Sequence, residues 1–286
     1  MSPTAGIVLA GGRSTRMGAP KATLDWRGST LLRHAAGIVD RAVDGPVCVV
    51  KASGQELPSL PDGIEVVEDE REGRGPLQGL AAGLAVLSDR ADVVYVSGVD
   101  TPLQHPAFIR HVAGSLDADH DVALPRAHGF DHPLAAAYRT AIASEVDEVI
   151  ASDDLATGAL MDRLNVLILD EPALLADHAV AVFDPELASL RNVNTPEEYD
   201  AARARLAPRV TVRCWGGLRV HGVDPITLCV ATVGAAAAIL SIQLGGDVVA
   251  IVNGERIVYD PEEPLAAGDT VIFTAPEQAL RSPHLV

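Results

Sequence analysis

The sequence predicts an α/β domain with a mainly parallel sheet over residues 1–207, followed by a small α+β domain over residues 210–286. Three observations support this prediction. Short apolar runs alternate with helical patterns up to about Leu206, an order typical of parallel strands joined by crossover helices. Pro208 follows a charged, alanine-rich segment and marks a linker. Beyond the linker, short strand patterns flank a single alanine-rich helix pattern.

The first domain contains six predicted strands and four predicted helices. The strands are Gly6–Leu9, Val47–Val50, Ile64–Val67, Val93–Ser97, Val122–Leu124 and Val166–Leu169. The helices are Leu31–Val43, Pro76–Leu87, Pro106–Ser115 and Glu197–Arg205. Ser29 is a favoured N-cap residue for the first helix. Because ligands bind at the carboxyl ends of parallel strands, we expect the site to follow Leu9 and Val96.

The second domain opens with Val210–Trp215, whose alternating side chains predict a half-buried strand. A helix is predicted over Val230–Leu244. Three further strands are predicted at Val248–Val252, Glu255–Tyr259 and Thr270–Thr274. Asn253-Gly254 lies between two of these strands and is a strong hairpin-turn signal.

Composition excludes several classes of function. A net charge of −17 argues against binding to nucleic acid or to anionic membranes. The longest apolar stretch, around Ala235–Leu240, is much shorter than the ~20 residues that span a bilayer, and no leader segment is recognisable. These features predict a cytoplasmic protein. Cys48, Cys214 and Cys229 are too widely spaced to predict a zinc knuckle or a disulfide framework.

The segment Leu9–Lys21 carries the strongest functional signal. Its glycines allow the backbone to approach a ligand closely, and free N–H groups can then surround an anion. Positive charge comes from three side chains, Arg13, Arg16 and Lys21. Neither the P-loop pattern nor the dinucleotide pattern Gly-x-Gly-x-x-Gly is present. The loop therefore predicts a nucleoside triphosphate site of another kind.

Asp100 follows the predicted strand Val93–Ser97 and precedes Thr101-Pro102. A carboxylate at this position can ligate Mg²⁺, or it can cap a helix that begins near Pro102. Asp69 could accept hydrogen bonds from a guanine base or be a solvated loop acid. Gly75 could form a turn against a base or be an ordinary helix start.

The pattern Leu-Ala-Gly-Gly-x-Ser-x-Arg-Met-Gly-x-x-Lys resembles the nucleotidyltransferase family that includes the molybdenum cofactor guanylyltransferases. Four further blocks resemble that family in the same order: Gly75–Gly79, Val99–Pro102, Asp131–Leu134 and Arg191–Glu198. The resemblance covers the whole first domain. It implies a Rossmann-like, mainly parallel sheet of the nucleotide-diphospho-sugar transferase type.

The resemblance also implies roles for individual residues. Nucleotide contacts are expected from Leu9, Ala10, Gly11, Gly12, Arg13, Lys21, Ser53, Asp69, Gly75 and Asp100. Arg16, Lys21 and Asp100 would be catalytic, and Asp100 would hold Mg²⁺. Asn192 and Asn194 would lie near the pterin substrate. Guanylyltransferases usually carry an Asn near the end of the second strand, where this chain has Ser53, which forms fewer hydrogen bonds.

The implied reaction transfers GMP from GTP to the terminal phosphate of molybdopterin and releases pyrophosphate. Two other functions stay open. One is nucleotidyl transfer from CTP to the same pterin, or from a nucleotide to another phosphorylated metabolite. The other is a non-catalytic scaffold that binds the cofactor.

The second domain resembles the ubiquitin-like β-grasp sulfur carriers of molybdopterin and thiamine synthesis over about Val210–Pro276. Those carriers end in Gly-Gly, whereas this chain runs on through Glu277-Gln278-Ala279 to Val286. Sulfur transfer is therefore not expected. We interpret the domain as a module for docking, oligomerisation or control, with a molybdoenzyme or a molybdopterin-synthesis protein as the candidate docking partner. The alternative is a stabilising appendage with no separate role.

Overall fold

A computed structural model describes residues 3–11, 17, 20–69, 75–152, 156–216, 218 and 225–281. The chain divides into two compact units, Met1–Leu24 with Thr30–Ala202, and Asp25–Ser29 with Arg203–Val286. The domain limits inferred from the sequence, 1–207 and 210–286, stay a prediction. No described helix combines the length and apolar character that a membrane crossing requires.

An eight-stranded, mainly parallel sheet forms the centre of the first unit. The strands before residue 200 are β1 (Thr4–Leu9), β2 (Asp25–Trp26), β3 (Ser29–Thr30), β4 (Val47–Ala52), β5 (Glu65–Asp69), β6 (Val93–Gly98), β7 (Val122–Ala127), β8 (Phe130–Asp131), β9 (Ala135–Arg139) and β10 (Val166–Asp170). The sheet order is β10-β7-β9-β6-β1-β4-β5, with β8 paired to β7, and β2 pairs only with β3. Only β8 and β9 run antiparallel to their neighbours in the large sheet.

The predicted α/β architecture is confirmed, since each of the six predicted strands is present. Strand β9 was not predicted, because its Ala135-Ala136-Ala137 core has low strand propensity. The helices of this part are α1 (Leu31–Asp40), α2 (Pro76–Leu87), α3 (Pro106–Gly114), α4 (Ala143–Ala151), α5 (Thr157–Met161), α6 (Glu171–Leu174), α7 (His178–Phe183) and α8 (Pro196–Ala204). The cap predicted for α1 was wrong by one residue: Thr30, rather than Ser29, accepts from the Arg33 N–H.

Helix α2 packs unusually close to β1, and this contact fixes the strand that leads into the site. A Cβ added at Gly83 would lie 2.6 Å from Ile7 Cδ1, and one added at Gly79 would lie 2.9 Å from Leu9 Cδ2. A side chain at Gly83 would meet three atoms of Ile7 within 3.0 Å, so Ile7 or the helix would have to shift. Ile7 and Leu9 are buried in the same apolar core as the α2 leucines.

The second unit contains a five-stranded sheet with one helix packed in its core. Its elements are β11 (Arg209–Cys214), β12 (Ile226–Cys229), α9 (Val233–Ile239), β13 (Val249–Val252), β14 (Arg256–Val258), β15 (Thr270–Thr274) and α10 (Pro276–Arg281). The sheet order is β12-β11-β15-β13-β14. The central pair β11–β15 is parallel, and the other pairs are antiparallel.

Four predicted strands of this unit are present, and Asn253 and Gly254 both have the positive φ that their turn requires. The helix predicted over Val230–Leu244 is shorter, since it ends at Ile239 and Ser241 has φ of 56°. Helix α10 was not predicted. Its Ala279 packs against Val249 and Ile251 in an apolar cluster separate from the main core of the unit.

Candidate active site

Four adjacent strand ends bring the predicted site residues to one edge of the sheet. Strands β6, β1, β4 and β5 are neighbours and run parallel. Ala10 and Gly11 follow β1, Ser53 follows β4, Asp69 ends β5 and Asp100 follows β6. These residues therefore lie along the carboxyl edge, where α/β sheets bind ligands. The predicted residues Gly12, Arg13 and Arg16 lie outside the described residues.

A lysine, a carboxylate and a carboxamide meet at one end of this edge. The Lys21 Nζ donates to Asn194 Oδ1 at 2.8 Å and lies 3.7 Å from Asp100 Oδ2. The Lys21 and Asp100 side chains are 15% and 26% exposed, so both are sheltered yet reachable by a ligand. We refer to Lys21, Asp100 and the neutral Asn194 together as the charged triad, after the charges of the first two residues. Its members come from three distant parts of the sequence.

Backbone contacts position the triad. The Val193 N–H donates to the Asp100 carbonyl at 2.7 Å, which ties the segment carrying Asn194 to the end of β6. The Thr101 hydroxyl donates to the Gly98 carbonyl at 3.0 Å and tightens the turn around Asp100. The Asp100 carboxylate is thus held on a short turn, not on a long loop.

A capping box fixes the segment of Asn192 and Asn194. The Glu198 carboxylate accepts from the N–H groups of Asn194 and Thr195, and the Thr195 hydroxyl accepts from the Glu198 N–H. Asn194 is thereby directed to Lys21, while Asn192 is exposed at the same edge. The Asn-x-Asn-Thr-Pro-Glu-Glu pattern hence combines a helix start with two amides.

Asp100 does not cap the helix that follows it. Helix α3 begins at Pro106, and its cap is His105, whose Nδ1 accepts from the Ala107 N–H at 3.1 Å. The helix-cap alternative for Asp100 is therefore wrong, and its role as a metal ligand stays a prediction. Among the described residues no three His, Cys, Asp or Glu side chains cluster as metal ligands. A single protein carboxylate is compatible with Mg²⁺, which keeps several waters and binds substrate phosphates in many sites.

At the opposite end of the edge, Ser53 pairs with a side chain of β5. Its hydroxyl donates to Glu68 Oε1 at 2.6 Å. This bond, together with Lys51, lowers the pKa of the Glu68 carboxyl. Gln55 was not predicted as a site residue, yet its side chain contacts both Ala10 and Ala52. A carboxamide three residues beyond a strand end was the signal that could have identified it.

Gly75 and His132 have backbone roles. Gly75 has φ of 80° and is the N-cap of α2, with Pro76 at the first helical position, so a glycine is favoured there. His132 Nε2 lies 3.1 Å from the Ala127 carbonyl and donates to it. Burial lowers the pKa of His132, so the ring is neutral at pH 7 and holds the turn between β8 and β9.

Gly98→Ala is expected to lower kcat about 10- to 100-fold while leaving the melting temperature within a few degrees. A Cβ at Gly98 would collide with Asp100 Oδ1, the movable end of a side chain, so the carboxylate would be displaced and the fold retained. Steady-state rates and thermal unfolding measure the two effects. Gly114→Ala is the matched control, since a Cβ there meets nothing within 4 Å. A wild-type rate in Gly98→Ala would contradict the requirement for this carboxylate position.

The fold is that of an α/β protein with a mainly parallel sheet, and comparison with known families defines the class as a nucleotidyltransferase. Residues 6–165 match the family model described as the MobA-like NTP transferase domain. The match covers more than half of the chain, which therefore belongs to this family.

Named relatives agree with this assignment. A probable molybdenum cofactor guanylyltransferase of Mycobacterium avium (strain 104) is 38% identical over 208 residues, covering 70% of this chain and 96% of the relative. The protein of that name in Mycobacterium tuberculosis (strain H37Rv) is 39% identical over 169 residues, covering 58% and 82%. The structure of molybdopterin-guanine dinucleotide biosynthesis protein A from Archaeoglobus fulgidus has a TM-score of 0.56 at 23% identity, covering 70% of this chain and 96% of that one. That likeness shows the fold.

Proposed function

We propose that the protein transfers GMP from GTP to the terminal phosphate of molybdopterin, forming the guanine dinucleotide and pyrophosphate. The observation that carries the proposal is the charged triad at the carboxyl edge of a nucleotidyltransferase sheet. The names of the relatives, which are guanylyltransferases of the molybdenum cofactor, support the choice of substrates.

In the proposed reaction, a phosphate oxygen of the acceptor forms a bond to the α-phosphorus of GTP, and the bond from that phosphorus to the β-phosphate oxygen breaks. The electron pair leaves with pyrophosphate. Little proton transfer is needed because the nucleophile is already an anion. Catalysis then consists of positioning and of charge stabilisation.

Each residue of the edge has a role in this proposal. Leu9, Ala10, Gly11, Gly12 and Arg13 contact the nucleotide, with Asp69 and Gly75 beside the base. Lys21 stabilises charge on the transferred phosphoryl group, and Arg16 does so on the leaving pyrophosphate. Asp100 would hold Mg²⁺, which neutralises phosphate charge when bound. Asn192 and Asn194 would orient the pterin substrate.

The net charge of −17 makes the local cations necessary. A triphosphate approaching this surface is repelled unless positive groups face it at short range, within about one Debye length of ~8 Å. The Lys21 ammonium supplies one such group beside Asp100.

The direct test measures pyrophosphate release by the purified protein with molybdopterin and GTP, CTP or ATP in turn. We expect release with GTP at a rate at least about tenfold above the others, because a pocket with matched polar groups discriminates bases by 1.4 kcal/mol or more. Faster release with CTP would establish a cytidylyltransferase instead. No release with any nucleotide, together with unchanged thermal stability in GTP, would favour a scaffold.

We further propose that the second unit is a β-grasp module for docking. Its sheet order, the parallel central pair β11–β15 and the helix α9 between β12 and β13 support this proposal. Docking would bring the nucleotidyl transfer step close to a molybdoenzyme or to a molybdopterin-synthesis protein. Titration of the full chain with purified molybdopterin synthase and with a molybdoenzyme apoprotein tests it, and absence of binding to both would contradict it.

A further inference from the structure

The hydrogen-bond ladder between β1 and β4 ends in an unusual way. The two strands are parallel, with Leu9 opposite Val50, and the Ala10 N–H donates to the Val50 carbonyl at 2.8 Å. In an evenly spaced parallel ladder, the next bond would run from the Ala52 N–H to the Ala10 carbonyl. Instead, Gln55 Oε1 accepts from the Ala52 N–H at 3.0 Å, and Gln55 Nε2 donates to the Ala10 carbonyl at 3.1 Å. The carboxamide is inserted between the two strand ends.

These contacts fix the orientation of the amide. Ala52 N–H can only donate and the Ala10 carbonyl can only accept, so the oxygen and the nitrogen of Gln55 are assigned without ambiguity. The backbone of Gln55 is also held, since its N–H donates to the Ala52 carbonyl at 3.1 Å and its carbonyl accepts from Lys51 Nζ at 3.2 Å. One hydrogen of Nε2 is used by Ala10, and the second is left for a ligand at this half-buried position.

The strand next to Gln55 ends in Asp69, the acid proposed to bind the base. Ala52 is opposite Asp69 in the β4–β5 register, so Gln55 and Asp69 flank the same strand end. A fixed N–H donor next to a carboxylate is complementary to guanine, which presents the O6 acceptor beside the N1–H and amino donors. Adenine has a donor where guanine has O6. The pair therefore favours guanine over adenine.

We propose that Gln55 is the specificity-determining residue for the base and that its Nε2–H donates to O6 of guanine. Ser53 does not take this role, because its hydroxyl donates to Glu68. The inference rests on the proposed use of GTP and adds the side chain that recognises the base. It also accounts for the absence of an Asn at the end of β4, since another carboxamide occupies the strand end.

The test compares the dissociation constants of GTP and of 6-thio-GTP, measured by calorimetry without acceptor. The sulfur of the analogue is a weaker acceptor, while its N1–H and amino group are retained. Wild-type protein is expected to bind GTP about tenfold more tightly than the analogue, the usual worth of one hydrogen bond in a desolvated pocket. In Gln55→Glu, which keeps the acceptor for Ala52 and loses the donor, this preference is expected to fall below twofold. GTP affinity is expected to fall about tenfold in the same variant.

Gln55→Met is the second variant, in case the added charge disturbs folding. Gln243→Glu, at an exposed residue of the second unit, is the matched control with an expected wild-type preference. An unchanged preference in both Gln55 variants, or no preference in the wild type, would overturn the inference while leaving GTP as the substrate. Loss of the preference in Gln243→Glu would also overturn it. Failure of the wild-type protein to bind GTP would overturn both this inference and the proposed function.

Discussion

Asp100→Asn is expected to lower the rate of pyrophosphate release from GTP by about 10²–10³-fold. The substitution keeps the size of the side chain and removes its negative charge, which is the property that a Mg²⁺ ligand at this position requires. The fold is expected to persist. The Asp100 carbonyl still accepts from Val193, and the ion pair that is lost is long, at 3.7 Å, and partly exposed.

The control is Asp147→Asn, which removes an exposed carboxylate from α4 and is expected to leave the rate within twofold. A second readout separates metal binding from other effects. Mg²⁺ should tighten GTP binding in the wild type and in Asp147→Asn but much less in Asp100→Asn. A wild-type rate in Asp100→Asn, with its Mg²⁺ response intact, would show that the metal is held elsewhere.

Lys21→Met is expected to lower kcat about 10²-fold and to weaken GTP binding about tenfold. Methionine retains much of the apolar stem but loses the ammonium that faces Asp100 and Asn194. In a chain with a net charge of −17, a charge that develops on the phosphoryl group then lacks one of its few compensating cations. Steady-state kinetics with GTP measures both effects.

The other lysine of the chain supplies the control. Lys51 lies 3.3 Å from Glu68 near the base end of the edge, so Lys51→Met tests the loss of a lysine without loss of the triad. Its kcat is expected to stay within about threefold of wild type, because Lys51 contacts Glu68 and the Gln55 carbonyl and not Asp100 or Asn194, so an effect of its loss is expected on GTP binding instead. Equal losses of kcat in the two variants would indicate a general electrostatic effect and not a role of Lys21 at the phosphoryl group.

Much of the first unit could be predicted from the sequence, since its strands are continuous apolar runs separated by helix starts. Because ligands bind at the carboxyl ends of parallel strands, Asp69 and Asp100 could be predicted to lie at the same edge of the sheet. This rule could not decide whether Asp100 capped a helix, because that depends on where α3 begins. In the structure His105 caps α3, and histidine is not one of the residues usually favoured at an N-cap, so the sequence did not predict it.

The side-chain contacts along the carboxyl edge could not be predicted from the sequence, because they join residues that are far apart in the chain. The 2.8 Å bond of Lys21 to Asn194 joins residues 173 positions apart, and it depends on the Val193 bond and on the capping box at Glu198. The resemblance to a family implied that both residues matter, but it gave no geometry. Gln55 was missed because its role depends on an interrupted ladder, which no local pattern encodes.

The second unit shows a different limit. Alternation and the Asn253-Gly254 turn predicted the strands that form the centre of its sheet. The edge strand β12 and the helix α10 were not predicted. β12 is short, with Thr227 and Cys229 exposed, and α10 is a brief helix whose burial comes from a tertiary contact of Ala279.

A crystal structure with Mn²⁺ and a GTP analogue carrying a methylene group between the α- and β-phosphorus tests the proposed nucleotide and metal sites directly. We expect the triphosphate over the Leu9–Lys21 loop, the guanine between Asp69 and Gln55, and an anomalous peak about 2.1 Å from a carboxylate oxygen of Asp100. A nucleotide bound at any other surface, or a metal without Asp100 among its ligands, would contradict the proposed site.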